Sequence, residues 1–178
     1  MKSTLYTANF STPIGEMYGL ATDDGICLLE FAERKELKEE ITSLKDYFKS
    51  EILDDENDHL LLLHKELHDY FKGKLQKFTI PTLLIGTDFQ VSVWESLKSV
   101  PYAETRSYLE QTEAIGDPNA IRAVATANGK NKLAIIIPCH RIIGSDGSLT
   151  GYAGGIDRKR FLLNLEREVA GPKDLFSA

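Results

Sequence analysis

Turn residues cut the first 31 residues of the chain into pieces too short to be helices. In STLYTANFSTPIGEMYGLATDDGICLLEF (residues 3–31), three apolar-and-aromatic runs are separated by TPIG and DDG. Turn chemistry between runs of that length marks hairpins. The pattern predicts an antiparallel meander, with Cys27 inside its last strand. Two charged, helix-favouring segments follow, about 34–50 and 57–72, the second stopping at Gly73. FTIPTLLIG then reads as an extended crossing into the second half.

Beyond the crossing the punctuation is that of helices. Thr87 and Gln90 stand at capping-box spacing ahead of a helix with Phe89, Val93 and Leu97 on one face. VPYAE breaks it. A second helix, about 105–115, stops at Gly116. Asp117 is placed to cap a third, about 118–128, with Pro118 at its first position, where a missing N–H costs nothing, and Gly129 at its end. Two helices joined by Gly116-Asp117 make a helix-turn-helix. In the third, Ile121, Val124 and Asn128 lie at helical spacing, and Ile121 and Val124 suit inward packing. Ala123, Thr126 and Ala127 leave another face small, with Arg122 beside it. Close approach to a DNA groove needs such a face, although many helices carry one without that partner. Residues 133–138, LAIIIP, read as a buried strand.

Composition bounds the function classes. With 178 residues, 42% of them hydrophobic, the chain can fill one large core or two small ones. No apolar run approaches the roughly 18 residues of a membrane span, and no basic-then-apolar start marks a secretory signal. Two cysteines are too few for a disulfide framework, which points to a reducing cytoplasm. The net charge of −6 argues against nucleic acid until it is mapped. Residues 1–85 hold 10 Lys and Arg against 16 Asp and Glu, whereas 86–178 hold 11 of each. Within 121–160, seven basic residues (Arg122, Lys130, Lys132, Arg141, Arg158, Lys159, Arg160) face two acidic ones, an excess able to meet phosphates.

The densest chemistry lies in IIIPCHRIIG, residues 135–144. A thiol beside a histidine and an arginine can have its pKa lowered, and the thiolate is the nucleophile. If the chain is extended there, Cys139 and His140 point to opposite faces, and the histidine reaches the thiol only through a bend or a water. Taken alone, the tetrapeptide is more readily an inert core cysteine beside a satisfied histidine. His64 and His68 are four apart with His59 ahead of them, a spacing that can bind zinc. The first half offers only Cys27 as a further soft ligand, so these are read as surface histidines and no metal is expected. Trp94, Tyr70 and Phe71 are read as core.

The context of PCHR decides between the two readings. From Gly86 to Glu166 the chain carries IRAV…AN, PCHR and GSDGSLTGYAGG in order, followed by LLNLE, and resembles the catalytic domain of the O6-alkylguanine-DNA alkyltransferases, also called methylated-DNA–protein-cysteine methyltransferases. TPIGEMYGLATDDGICLLEF and LHDYFKGKLQKFTIP resemble the N-terminal domain of the same family.

The resemblance implies a two-domain α/β fold. A ribonuclease-H-like antiparallel sheet with helices would occupy residues 1–85. A mainly helical DNA-binding and alkyl-acceptor domain would occupy 86–178. It implies direct-reversal repair of double-stranded DNA containing O6-alkylguanine, with no cofactor, by a protein expected to act as a monomer. Cys139 would accept the alkyl group in an in-line displacement. His140 would take its proton through a water, Glu166 would polarise His140, and Asn131 would brace the turn. Tyr108 would donate to the guanine ring and the Ala153 backbone to O6, a carbonyl near Ile142 would accept from the exocyclic amine, and Tyr152 would wall the pocket. Arg122 would replace the flipped base, with Ala123, Thr126, Ala127 and Asn128 along the DNA.

Three departures from the family pattern stand out: Ala125 for glycine, Lys132 for proline, and Gln111-Thr112 for a more apolar pair, the last expected to disturb helix packing. Two rivals differ in class. A non-catalytic binder of alkylated DNA lacks the acceptor cysteine, and a cysteine hydrolase or redox enzyme has no use for a helix-turn-helix before its nucleophile.

Overall fold

The computed structural model describes residues 3–172, so the outer ends of the expected 1–85 and 86–178 divisions lie outside the described residues. The meander forms as the turns require. Strands β1 (Leu5–Thr12), β2 (Gly15–Thr22) and β3 (Gly25–Phe31) run antiparallel, and β4 (Ile52–Leu53) adds a parallel edge, giving the order β3-β2-β1-β4. Helix α1 (Leu37–Phe48) covers one face of the sheet, packing Leu37, Leu44 and Phe48 on Leu5, Leu20, Cys27 and Leu28. Helix α2 (Asp58–Phe71) sets Leu60, Leu63, Leu67 and Tyr70 into the core on the other face. Every residue of β3 is therefore buried.

The crossing runs beside β3: Ile26 N–H donates to Pro81 O (2.9 Å) and Leu83 N–H to Ile26 O (2.8 Å). A side chain at Gly25 would strike the Pro81 carbonyl at 2.6 Å, so this close approach requires glycine.

The second half is helical. It comprises α3 (Asp88–Leu97), α4 (Tyr108–Ile115), α5 (Ile121–Gly129) and α6 (Ile156–Ala170), with strands β5 (Arg106–Ser107) and β6 (Ile142–Ile143) paired in parallel. One hydrophobic core joins the halves, passing from Phe10, Leu29 and Tyr70 to Trp94, Val124, Leu133 and Leu162. At the junction Leu29 N–H donates to Lys132 O (2.8 Å), and Ala134 N–H to Leu29 O (2.9 Å).

Several expectations are corrected. LAIIIP is not a strand. Only Leu133 bridges β3, after which Ile135 turns left-handed (φ 71°) and the chain closes on itself, with Ile137 N–H donating to Leu133 O at 2.9 Å. An unbroken apolar run signals burial but not extension. Phe89 is 39% exposed, because α3 turns Val93, Trp94 and Leu97 inward and the Trp94 indole donates to Ala127 O at 2.8 Å. Asp117 caps no helix. Its carboxylate accepts from Asn119 N–H in a tight turn, and α5 begins only at Ile121. Ile121 is 38% exposed in consequence, since Val124, Ala127 and Asn128 form the inward arc. The second helix starts at Tyr108, where Ser107 and Glu110 form a capping box absent from the sequence reading.

Gln111 and Thr112 do not disturb packing. Both are fully buried and satisfied: Gln111 and Asn128 pair amide to amide (3.0 and 2.6 Å), and the Thr112 hydroxyl donates to Tyr108 O. The pair ties α4 to α5. Gln111→Ala should cost about 1–3 kcal/mol, because it strands the buried Asn128 amide. The double change Gln111→Leu with Asn128→Leu should restore most of that loss in urea unfolding. If the single variant matches wild type, the amide pair contributes nothing.

Candidate active site

Cys139 opens a single 3₁₀ turn, Cys139–Arg141, directly after Pro138. The turn separates successive side chains by about a third of a revolution, so the histidine leaves the thiol behind and points elsewhere. Extended geometry is not what divides them.

Asn131 fixes the thiol. Its Oδ1 accepts from Leu133 N–H (3.0 Å), while its Nδ2 donates to Ile137 O (2.9 Å) and to Cys139 Sγ (3.3 Å). The pKa runs opposite to the expectation of a lowered value. Burial pushes the Cys139 thiol up to about 11, the Asn131 hydrogen bond opposing it. The buried Glu30 carboxylate adds to the rise, and Lys159 subtracts from it. At neutral pH the resting group is a thiol.

His140 is fully buried. Its Nε2 lies 2.7 Å from Glu166 Oε1, and its Nδ1 has no partner among the described residues. Burial lowers the imidazole pKa against the pull of Glu166, keeping the ring a neutral base.

Glu166, on α6, is the hub. It accepts from Arg141 Nε (3.0 Å) and Nη2 (2.9 Å), from the Tyr70 hydroxyl (2.7 Å) and from Ala103 N–H (3.1 Å). Burial alone would raise its pKa. The hydrogen bonds from His140 and Arg141 outweigh that and hold the carboxyl well below the usual range. Arg141 also donates to Val100 O (2.8 Å) and faces the Tyr102 ring.

The loop 150–155 lies beside Tyr108 and Lys159. The Tyr108 hydroxyl donates to Thr150 O (3.0 Å) and Gly151 O (3.2 Å), and burial holds its pKa up to about 12. Lys159 is fully buried and donates to Ile142 O and to Thr150 O (2.8 Å), so it ties the cysteine turn to this loop. The carbonyl expected to meet the guanine amine at Ile142 is thus already held by a lysine. Burial pushes that lysine down to about 8. Tyr152 is half-buried, its hydroxyl without a partner among the described residues, and Ala153 is exposed. Tyr152 and Ala153 border an open cavity of about 660 Å³, with Lys130 and Ala125 on one side and Arg34 and Glu40 on the other.

The exposed face of α5 is narrower than expected. Arg122, Ala123 and Thr126 are exposed, but Ala127 and Asn128 are buried and face α3 and α4. Of the seven basic residues, Arg141 and Lys159 are buried in the site, and Lys132 donates to Ile85 O (2.9 Å). Arg158 pairs with Glu33, and Arg160 with Asp157. Arg122 and Lys130 remain exposed with no ion pair among the described residues.

Sequence reasoning named Cys139, His140, Glu166 and Asn131, which the fold brings together. It missed two residues of this site: Tyr70 was read as core, and Lys159 only as part of the basic excess. Arg141 was named beside the thiol, but its pairing with Glu166 was not foreseen. The inner face of α6 was the only signal for Lys159, and Tyr70 had none.

Comparison with known proteins identifies the family. Residues 1–84 match the ribonuclease-like domain of the 6-O-methylguanine DNA methyltransferases, and residues 88–168 match the DNA binding domain of the same family. A methylated-DNA–protein-cysteine methyltransferase of Methanosarcina acetivorans is 40% identical over 91% of this chain and 98% of its own length. An inducible one of Bacillus subtilis is 36% identical over 98% of this chain and 97% of its own. The crystal structure of the Mycobacterium tuberculosis O6-methylguanine methyltransferase superposes with a TM-score of 0.79 at 38% identity, covering 97% of this chain and 98% of that one. The same mycobacterial protein in complex with DNA superposes equally well, at 39% identity over 96% of this chain and 97% of that one. Two family models in series, together with relatives alike along their whole lengths, show that this chain belongs to the methylated-DNA–protein-cysteine methyltransferase family.

Proposed function

We propose that this chain repairs DNA by moving the methyl group of O6-methylguanine onto Cys139, once per molecule. The observation that carries the reading is the pair of contacts Asn131–Cys139 (3.3 Å) and His140–Glu166 (2.7 Å), with His140 Nδ1, unpartnered among the described residues, left to accept a proton. The role assignments rest on those contacts and on the family. A water between the thiol and Nδ1 passes the proton to His140, and Glu166 stabilises the imidazolium. Sγ then attacks the methyl carbon: the S–C bond forms as the C–O6 bond breaks, and the electron pair leaves with the guanine. Tyr108 turns from the loop carbonyls to donate to that base, and the Ala153 N–H meets O6. Tyr152 closes the wall, and the Ile142 segment borders the amine edge.

The product is a thioether. Nothing around Cys139 can expel an alkyl group from sulfur, so the protein acts once and stops. In this reading the substrate is an alkylated base in duplex DNA, with Arg122 filling the gap it leaves. Ala123 and Thr126 line the groove, while Ala127 and Asn128 support the helix from behind. The protein works as a monomer in the reducing cytoplasm, and its two domains divide at 85/86, just ahead of the Thr87 cap.

Intact-mass measurement after incubation with a duplex holding one O6-methylguanine should show a single added methyl, mapping to Cys139. Cys27, whose thiol burial pushes up to about 12, should stay unmodified. More than one methyl per chain, or a methyl on Cys27, would overturn the mechanism.

A further inference from the structure

Helix α2 belongs to the ribonuclease-like half, yet one of its side chains ends in the site of the other half. Tyr70 is fully buried, and its hydroxyl donates to Glu166 Oε1 at 2.7 Å. The same oxygen receives His140 Nε2 at 2.7 Å and Arg141 Nη2 at 2.9 Å. Oε2 receives Arg141 Nε and Ala103 N–H. An ionised carboxylate offers about two lone-pair sites per oxygen, so Oε1 carries three donors where two are well served. Each donor on it weakens the hold of the others. Tyr70 stays a donor throughout, since burial and the neighbouring Glu166 charge raise its own pKa well above the ordinary tyrosine value.

We propose that Tyr70 is a positioning residue of the proton relay: from the N-terminal domain it takes a share of Glu166 Oε1 and so sets how strongly that carboxylate draws on His140. The inference rests on the reading of His140 as the base for Cys139. It gives the N-terminal domain a part in the chemistry, because the carboxylate that orients the base is held from both domains. The charged and titratable groups facing this pair come from four elements. They are Arg141 on the cysteine turn, Lys159 on α6, Tyr102 on the loop ahead of β5, and Tyr70 on α2. Only Tyr70 is a neutral donor that can be removed without taking away a charge.

Tyr70→Phe retains the ring, which packs against Phe71 (5.3 Å), Phe78 (5.4 Å) and Tyr102 (6.2 Å). With one competitor gone, Glu166 draws harder on the His140 N–H, and the imidazole becomes more basic. The acid limb of the single-turnover rate should move up by about half a pH unit, a roughly threefold loss below the limb, with the alkaline plateau within about twofold of wild type. The His140 ring-nitrogen titration followed by NMR should shift in the same direction. Fluorotyrosine at position 70, a stronger donor of nearly the same shape, should move both the other way. That arm keeps the test open if the Phe variant folds poorly.

A uniform rate change at every pH, or an unmoved His140 titration in both proteins, would show that Tyr70 only fills the core. The wild-type arm separates the two readings. Failure of wild type to methylate Cys139 would overturn the proposed function, whereas wild-type transfer with no shift in the variants would overturn only the role of Tyr70.

Discussion

Glu166→Gln should slow methyl transfer by about 10²–10⁴-fold, the span that acid–base assistance covers in enzymes. Burial pushes the Cys139 thiol up to about 11, so in the proposed mechanism attack waits on removal of its proton. In that mechanism His140 holds the proton only where the imidazolium is balanced, and among the described residues Glu166, at 2.7 Å, is the carboxylate bonded to it. An amide of the same shape loses the charge, and its NH2 group replaces one of two oxygens that both accept from donors.

The substitution should also cost stability. Arg141 is 8% exposed and pairs with Glu166 through two nitrogens, so the amide leaves a buried cation uncompensated. Breaking such a pair costs about 3–5 kcal/mol. The sign of the pH dependence follows. The folded-state pKa of Glu166 lies below its ordinary 4.5, so its contribution is complete above that value and is lost as pH falls toward the folded one. Wild type should weaken on acidification below pH 4.5, and the Gln variant should weaken less steeply over the same window. Rapid-quench transfer assays with urea unfolding at pH 7 and pH 4 measure both effects. Transfer at the wild-type rate would mean that His140 does not rely on this charge.

The parts of this molecule that were legible in the sequence are those set by local chemistry. TPIG and DDG force hairpins wherever they stand, and Thr87 with Gln90 starts a helix without help from the rest of the fold. Cys139 and His140 were found because they are adjacent, and Glu166 because the family pattern reaches it. The misreadings share a different cause. LAIIIP looks like a strand because burial and extension give the same apolar run, and only Asn131 and the left-handed Ile135 make it a turn. The face of α5 depends on where that helix begins, and a shift from 118 to 121 left Ile121 exposed while Val124, Ala127 and Asn128 form the inward arc. Gln111 looked disruptive because its partner, Asn128, lies on another helix. Tyr70 is 96 residues from Glu166, and no local pattern records a contact at that distance. Charge counting failed for a related reason: a lysine sealed under two carbonyls and one on the surface read alike in a composition.

Arg122→Ala should reduce repair of an O6-methylguanine duplex by about 100-fold or more while leaving reaction with free O6-benzylguanine within about threefold. Extruding a base costs a few kcal/mol of stacking and pairing, and a side chain that fills the vacated space offsets that cost only when there is a stack to fill. Arg122 is placed for this. It is exposed on the first turn of α5, beside Ala123 and Thr126, and no carboxylate neutralises it among the described residues. It touches none of Cys139, His140, Glu166 or Tyr108, so the free base should hardly notice its loss. Electrostatic grip should be light. With Arg122 and Lys130 the exposed, unpaired members of the basic cluster, the logarithm of duplex affinity should fall with the logarithm of salt at a slope near −2, about −0.9 for each phosphate neutralised. Arg122→Ala should then flatten the slope by roughly one. Parallel single-turnover assays on the two substrates, with a salt titration of each protein, give the answer. Equal losses on duplex and free base would place Arg122 in the fold or the pocket wall, and an unchanged slope would move the phosphate contacts to another surface.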